Sequence, residues 1–317
     1  MSPKISTSLL VPCFNAQNYI NDFINNISLQ TVPFDEVIFY NDGSTDKTRE
    51  MLDNQTFGRV IHSSKNQGSS KARNELLKSS YGDLIHFHDI DDFLDPTFLE
   101  KTSLALTSEV DAVIVNMKVI DRNTERLLGI YDYSELTNHT DPIEFFLTHC
   151  GYAIIGLYRR ECLNKIGGFR ESLSRDEDPD FHIRLASSGA KIISLPIPLT
   201  INRFGTGTYS SMSYVACWRE HLKALQFYIN ELPANYHPIL KRDSGRMIAL
   251  CAACDDLELA YDYLDFYESL GEQGDIPITT SKPLKILASC IGYRNALKLR
   301  FGRWGKSLRS LYPWRIG

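Results

Sequence analysis

The chain has 317 residues, 43% hydrophobic and 23% charged, an ordinary composition for a soluble globular protein with room for one large domain or one domain plus an appendage. No apolar run approaches the length of a membrane span, Met1-Ser-Pro-Lys-Ile5 has no signal-peptide core, and seven scattered cysteines argue for reduced thiols in a cytosolic protein. The net charge of −5 is uneven: Ile276 to Gly317 holds nine Lys and Arg and no Asp or Glu, a basic tail on an acidic body that calls for an anionic surface as partner.

Ser6 to Val11 reads as an apolar strand closing on Pro12-Cys-Phe-Asn15. Ile20, Phe23, Ile24 and Ile27 then follow at helical spacing. A second strand, Glu36 to Tyr40, ends at Asn41-Asp-Gly-Ser-Thr-Asp46, where Ser44 or Thr45 can cap a helix starting near Asp46. A third, Arg59 to His62, leads to Ser63-Ser-Lys-Asn-Gln-Gly68, and Ser69 opens a helix through Leu77. Leu84 to Phe87 and Asp111 to Met117 complete the set. Strands alternating with helices predict an α/β fold with a mostly parallel sheet, whose ligands bind beyond the carboxyl ends of the strands. Those ends carry Pro12 to Asn15, Asn41 to Asp46 and Asp89 to Asp92. Neither a dinucleotide fingerprint nor a P-loop follows any strand.

The fourth strand runs straight into Asp89, Asp91 and Asp92. Buried carboxylates are costly unless something cationic offsets them. Alternation puts Asp89 and Asp91 on one side of an extended segment, where hard oxygen donors can face Mg2+ or Mn2+. A carboxylate with a divalent metal is then the remaining way to hold a diphosphate. The plain alternative is an acidic, solvated turn. Pro96 and the apolar residues after it predict a turn into a helix. His86 and His88 share a strand face and are expected to pack or hydrogen-bond rather than ligate.

Val11-Pro12-x-Phe14-Asn15, Asn41-Asp42-Gly43-Ser44-Thr45-Asp46, Asn66-x-Gly68 with Ala72-Arg73-Asn74, and Asp89-x-Asp91-Asp92 stand in the order and approximate spacing of a family 2 glycosyltransferase. Gly167-Gly168-Phe169-Arg170-Glu171 and Glu177-Asp178-x-Asp180-Phe181-x-x-Arg184-Leu185 look like that family's acceptor-side signature. The resemblance covers roughly residues 5 to 210. It implies a GT-A fold, with a mostly parallel central sheet flanked by helices over residues 1–213, and transfer of a sugar from a nucleotide-diphosphate sugar, a UDP-sugar favoured, with inversion. The acceptor would be a hydroxyl of a glycan or lipid-linked glycan. By the same resemblance Pro12, Phe14 and Asn15 line the base and ribose pocket, and Asp42 accepts from the base edge. Asn66 and Gly68 belong to the same donor-binding set, and Arg73 lies near the diphosphate. Asp91 binds the divalent metal (Mn2+ or Mg2+) directly, while Asp89 acts on the ribose or through metal-bound water. Asp178 is the general base, with Glu177 as fallback; a helix N-terminus is expected to lower its pKa and keep it ionised. The chain departs from the pattern after Asn202-Arg203, where many members carry a histidine and this one reads Phe-Gly-Thr-Gly-Thr-Tyr-Ser-Ser211. Arg203 can still hold a phosphate, and the small polar residues suit a lid.

Residues 214–317 read as a helical C-terminal region with helices near Ala216 to Leu232, Ile239 to Cys254 and Leu257 to Leu270, forming either a small bundle or a homodimer contact. Cys251-Ala-Ala-Cys254 has no second pair to complete a zinc site. Leu297, Phe301, Trp304, Leu308 and Leu311 form one stripe flanked by Arg and Lys, so residues 294–311 read as a basic amphipathic helix for an anionic membrane surface, or as a terminal helix docked on its own domain. Together these place the protein in the cytoplasm, peripheral to the inner face of the plasma membrane. No base-reading module accompanies the charge, so nucleic acid is not an expected partner. The rivals are a catalytically inactive sugar-nucleotide-binding or scaffold protein, favoured by the missing histidine, and a nucleotidyltransferase, which would need a Gly-rich basic loop where Pro12 to Asn15 stand.

Overall fold

Leu9, Leu10 and Val11 are wholly buried in β1 (Thr7–Cys13), as a continuous apolar run requires of a strand covered on both faces. The same holds for Ile38 and Phe39 in β2 (Glu36–Asp42) and for Ile85 and Phe87 in β4 (Leu84–Phe87). With β3 (Arg59–Ser63) these strands pair in parallel in the order β3-β2-β1-β4. Between them run α1 (Ile20–Ile27), α2 (Thr48–Asn54) and α3 (Ser69–Ser79). The structure is a computed structural model that describes residues 5–205, 214–254 and 256–271. The chain divides into two compact units, Met1–Met212 and Ser213–Gly317.

Beyond β4 the sheet becomes mixed. Strand β8 (Gly156–Arg159) inserts antiparallel between β4 and β6 (Ala112–Asp121), and β9 (Ile192–Phe204) runs parallel to β6. The two-residue β5 (Phe93–Leu94) pairs antiparallel with β9, and β7 (Leu127–Tyr131) forms a hairpin with β6. Among the described residues this is one nine-stranded sheet. Helices α4 (Phe98–Ala105), α5 (Pro142–Thr148), α6 (Arg160–Ile166) and α7 (Glu177–Ser187) complete the unit.

Two features position the site. Phe181 of α7 stacks on Phe169 with ring centroids 4.4 Å apart, and Phe87 meets Phe169 edge-on at 5.0 Å. This aromatic cluster anchors α7 beside the end of β4. Asn74 of α3 clamps the Gly-Gly-Phe turn: its amide accepts from Phe169 N at 2.8 Å and donates to Phe169 O at 2.9 Å. Gly168 sits there at φ +74°, and a Cβ would lie 2.4 Å from Asn74 Oδ1. Only glycine meets both demands.

In the second unit α8 (Tyr214–Glu231), α9 (His237–Ala253) and α10 (Leu257–Ser269) are helices, close to the expected bounds. Asp256 caps α10, its carboxylate accepting from Leu259 N. Among the described residues no helix is long and apolar enough to cross a membrane. The expected basic helix at 294–311 and most of the expected lid, residues 206–211, lie outside the described residues.

Candidate active site

Three loops at the carboxyl ends of β1, β2 and β3 are tied into one surface. Asn15, at φ +49°, accepts from Thr45 N with its Oδ1 at 2.9 Å, and its own N–H donates to Ser44 Oγ at 3.0 Å. Ser44 and Thr45 therefore bind the neighbouring loop rather than cap α2, which begins later than expected, at Thr48. The acceptor of Thr48 N–H is instead Asp46 Oδ1 at 3.0 Å. Asp42 accepts from Gln67 N at 2.9 Å and Gly68 N at 2.8 Å, so its buried carboxylate organises the Asn66–Gly68 turn. Burial raises its pKa against those two amide bonds. Gly43, at φ +66°, lets the loops meet: a Cβ would lie 2.3 Å from the Lys65 carbonyl carbon. Phe14 stands 46% exposed at the rim, and Pro12 pairs with Tyr40 within the sheet.

The acids converge on one guanidinium. Arg73 is 4% exposed; its Nη1 donates to Glu177 Oε1 at 3.0 Å and to Asp178 Oδ1 at 3.1 Å, and its Nη2 donates to Asp89 Oδ1 at 2.8 Å. The group also lies over the Phe169 ring at 5.2 Å. Burial opposes its charge, but Asp178, Asp89 and Glu177 outweigh that and hold its pKa up. Arg73 thus faces three carboxylates, Asp89, Glu177 and Asp178. Asp178 accepts a second bond, from Ala153 N to Oδ2 at 3.0 Å, and Ser69 Oγ donates to Glu177 at 2.6 Å. The expected lowering of the Asp178 pKa is reversed. Burial pushes it up to about 7, Arg73 opposing and Glu177 and Asp89 assisting. Removing a carboxylate from water outweighs the partial charge of a helix end.

Asp91 belongs to a second group that sequence reasoning missed. Arg122, in the turn after β6, donates from Nη2 to Asp91 Oδ2 at 2.8 Å and to Arg203 O at 2.9 Å, and lies over the Tyr19 ring at 4.5 Å. Arg203 lies over Phe93 at 4.4 Å and pairs with Glu125 at 2.9 Å. Arg122 Nη1 and Arg203 Nε are buried with no hydrogen-bond partner among the described residues. Such donors suit an arriving anion. Asp92 turns away, accepting from Arg203 N and Asn202 Nδ2. Burial, then Asp89, raises the Asp91 pKa, with Arg122 opposing.

His86 and His88 are buried and bonded to each other at 3.1 Å, with His86 Nδ1 on Gly156 O at 2.8 Å. Burial lowers the pKa of both, so they remain neutral packing groups. Among the described residues no three His, Cys, Asp or Glu form a metal cage. Mg2+ and Mn2+ commonly take only one or two carboxylates and complete their shell with phosphates and water. Asp91 and Asp89 supply carboxylates of that kind, each with one oxygen on an arginine: Asp91 Oδ2 on Arg122 and Asp89 Oδ1 on Arg73.

The sequence matches glycosyl transferase family 2 over residues 8–167. It is 27% identical over 232 residues to the uncharacterized glycosyltransferase EpsJ of Bacillus subtilis, covering 68% of this chain and 66% of that one. Over 287 residues it is 24% identical to the poly(ribitol-phosphate) beta-N-acetylglucosaminyltransferase TarS of Staphylococcus aureus, covering 88% of this chain but 46% of TarS. The chain therefore spans two thirds or less of the length of these relatives. Among solved structures, S. aureus TarS 1–349 in complex with UDP-GlcNAc superposes with a TM-score of 0.68 at 20% identity, over 95% of this chain and 93% of that one. The mannosyltransferase PcManGT from Pyrobaculum calidifontis, in complex with GDP-Man and Mn2+, gives 0.57 at 18% identity, over 96% and 89%. The fold is GT-A, and with a sequence match spanning half of its length the chain belongs to glycosyl transferase family 2.

Proposed function

We propose that the chain moves a sugar from a UDP-sugar to a hydroxyl of a glycan or lipid-linked acceptor, inverting the anomeric carbon in one displacement. The observation that carries the reading is the shared guanidinium of Arg73, which brings Asp89 at the end of β4 and Asp178 at the start of α7 to one centre. The Met1–Met212 unit supplies all these groups. The loops around Asn15, Asp42 and Gly68 hold the nucleotide, with exposed Phe14 beside the base. Arg122 and Arg203 offer their unpartnered N–H groups to the diphosphate. Asp91, helped by Asp89, holds a divalent cation, which when bound supplies Lewis-acid stabilisation of the leaving diphosphate. Asp178 takes the proton of the acceptor hydroxyl as its oxygen bonds to the anomeric carbon and the bond to the diphosphate breaks. The TarS complex favours uridine over the guanosine of the more distant mannosyltransferase. For the second unit, the tail at 294–311 is assigned to an anionic membrane surface.

Melting temperatures measured with UDP, GDP, dTDP and CDP, each with and without Mn2+, test the donor assignment. UDP with Mn2+ is expected to stabilise the wild type, by about 2.7 kcal/mol at a hundredfold excess over its dissociation constant. Asp91→Asn should lose the part of the shift that requires the metal. No response to any nucleotide would favour the inactive scaffold. The pH dependence follows from Asp178. Below about 7 its carboxyl is protonated and cannot accept a proton. Initial-rate measurements of kcat/KM should therefore rise roughly tenfold per pH unit on the acid side and level off above about 7. A flat profile from pH 5 to 8 contradicts Asp178 as the base.

A further inference from the structure

On the acceptor side, the sheet ends in an aromatic corner that the donor reading does not use. Tyr131, the last residue of β7, is 40% exposed, and its ring meets that of Tyr152 edge-on with centroids 5.0 Å apart. Tyr152 immediately precedes Ala153, whose N–H donates to Asp178 Oδ2 at 3.0 Å. The corner is built rather than loose: Met117 of β6 pairs with Tyr131 in the hairpin, and Tyr133 Oη donates to Cys150 O at 2.7 Å behind it.

We propose that Tyr131 and Tyr152 form a preformed platform that seats the ring of an uncharged pyranosyl acceptor beside Asp178, and that it selects such a sugar over an anionic polyol phosphate. The proposal rests on the assignment of Asp178 as the base and names the acceptor class of that site. A pyranose presents at least one face of axial C–H bonds, with hydroxyls around its rim. The C–H face rests well on the negative face of an aromatic ring, and the rim hydroxyls stay free for polar partners. A tyrosine already fixed by its neighbours loses little freedom on binding, which favours a platform over a loose side chain. Charge decides between acceptor classes. The start of α7 places Asp176, Glu177 and Asp178 together, and Arg73 is already shared among three carboxylates. A phosphodiester approaching Asp178 from this side meets like charge. This acceptor differs in class from the one in the name of TarS.

Saturation-transfer NMR on the full chain with UDP bound tests the platform, using methyl β-D-glucopyranoside, methyl β-D-galactopyranoside and methyl N-acetyl-β-D-glucosaminide as neutral probes and ribitol 5-phosphate as the anionic one. At least one pyranoside should bind, with saturation concentrated on the C–H protons of one ring face, and about tenfold more tightly than ribitol 5-phosphate. Tyr131→Ala should weaken that pyranoside about tenfold, the loss of one stacking contact, while Tyr131→Phe restores it to within about twofold. Tyr131 is exposed enough that Ala should fold, and a UDP-induced rise in melting temperature confirms this for each variant. Failure of every pyranoside to bind the UDP-loaded wild type overturns the platform while leaving the donor assignment standing. So does equal binding by Tyr131→Ala, or tighter binding of ribitol 5-phosphate. If UDP itself does not bind the wild type, the donor assignment falls and takes the platform with it.

Discussion

Asp178→Asn is expected to lower kcat by on the order of a thousandfold while the UDP-induced melting shift survives. Asparagine keeps the shape, and its single carbonyl oxygen can still accept from one of the two donors that orient the carboxylate, Arg73 Nη1 or Ala153 N–H. It cannot take a proton. General-base catalysis is worth roughly 10²–10⁴ in rate, and the substitution removes that contribution while leaving the loops around Asn15 and Asp42 intact. Steady-state kinetics with a UDP-sugar, read beside nucleotide binding, separates the two effects. A loss of less than about tenfold would transfer the role to Glu177, which shares Arg73 Nη1 at 3.0 Å. A joint loss of turnover and UDP binding would instead mean that the substitution had disturbed the Arg73 cluster.

Much of this arrangement is legible in the residues because its signals are local. Continuous apolar runs mark β1, β2 and β4, and the polar stretches that follow them mark the ligand edge. Asp46 accepts from Thr48 N two positions on, turn chemistry written in a few consecutive residues. What is not local is not legible. Arg122 meets Asp91 only because the β6–β7 hairpin folds back across 31 positions, and nothing around it in the chain marks it out. Strand β8 enters the sheet between β4 and β6 from far along the chain, which makes half of the sheet mixed although its opening segments promise parallel pairing. The Asp178 pKa shows a different limit. Position at a helix N-terminus can be read from sequence, but depth of burial cannot, and here depth sets the sign. Arg73 combines both limits: its motif is recognisable, yet the partners that enclose it lie 16, 104 and 105 positions away.

Arg73→Met is expected to destabilise the protein by about 3–5 kcal/mol at pH 8, the usual cost of removing one partner from a buried ion pair. Methionine fills much of the volume and can still pack on Phe169, so the loss is chiefly electrostatic. Glu177 and Asp178 are left mostly buried without a counter-ion, whereas Asp89, whose side chain is about a third exposed, can recover water. The sign of the pH dependence follows from Asp178. A carboxyl whose folded pKa lies above its unfolded value binds its proton more tightly when folded, so its ionisation lowers stability as pH rises towards the folded pKa. Without Arg73 that pKa moves further up, and the uncompensated charge costs more at pH 8 than near pH 5, where the carboxyl is neutral. Urea unfolding of wild type and Arg73→Met at pH 8 and pH 5 reads both effects. The gap should be large at pH 8 and shrink at pH 5. A gap below about 1 kcal/mol at pH 8 would mean that the three carboxylates do not depend on Arg73, and its placement at the centre of the site would have to be abandoned.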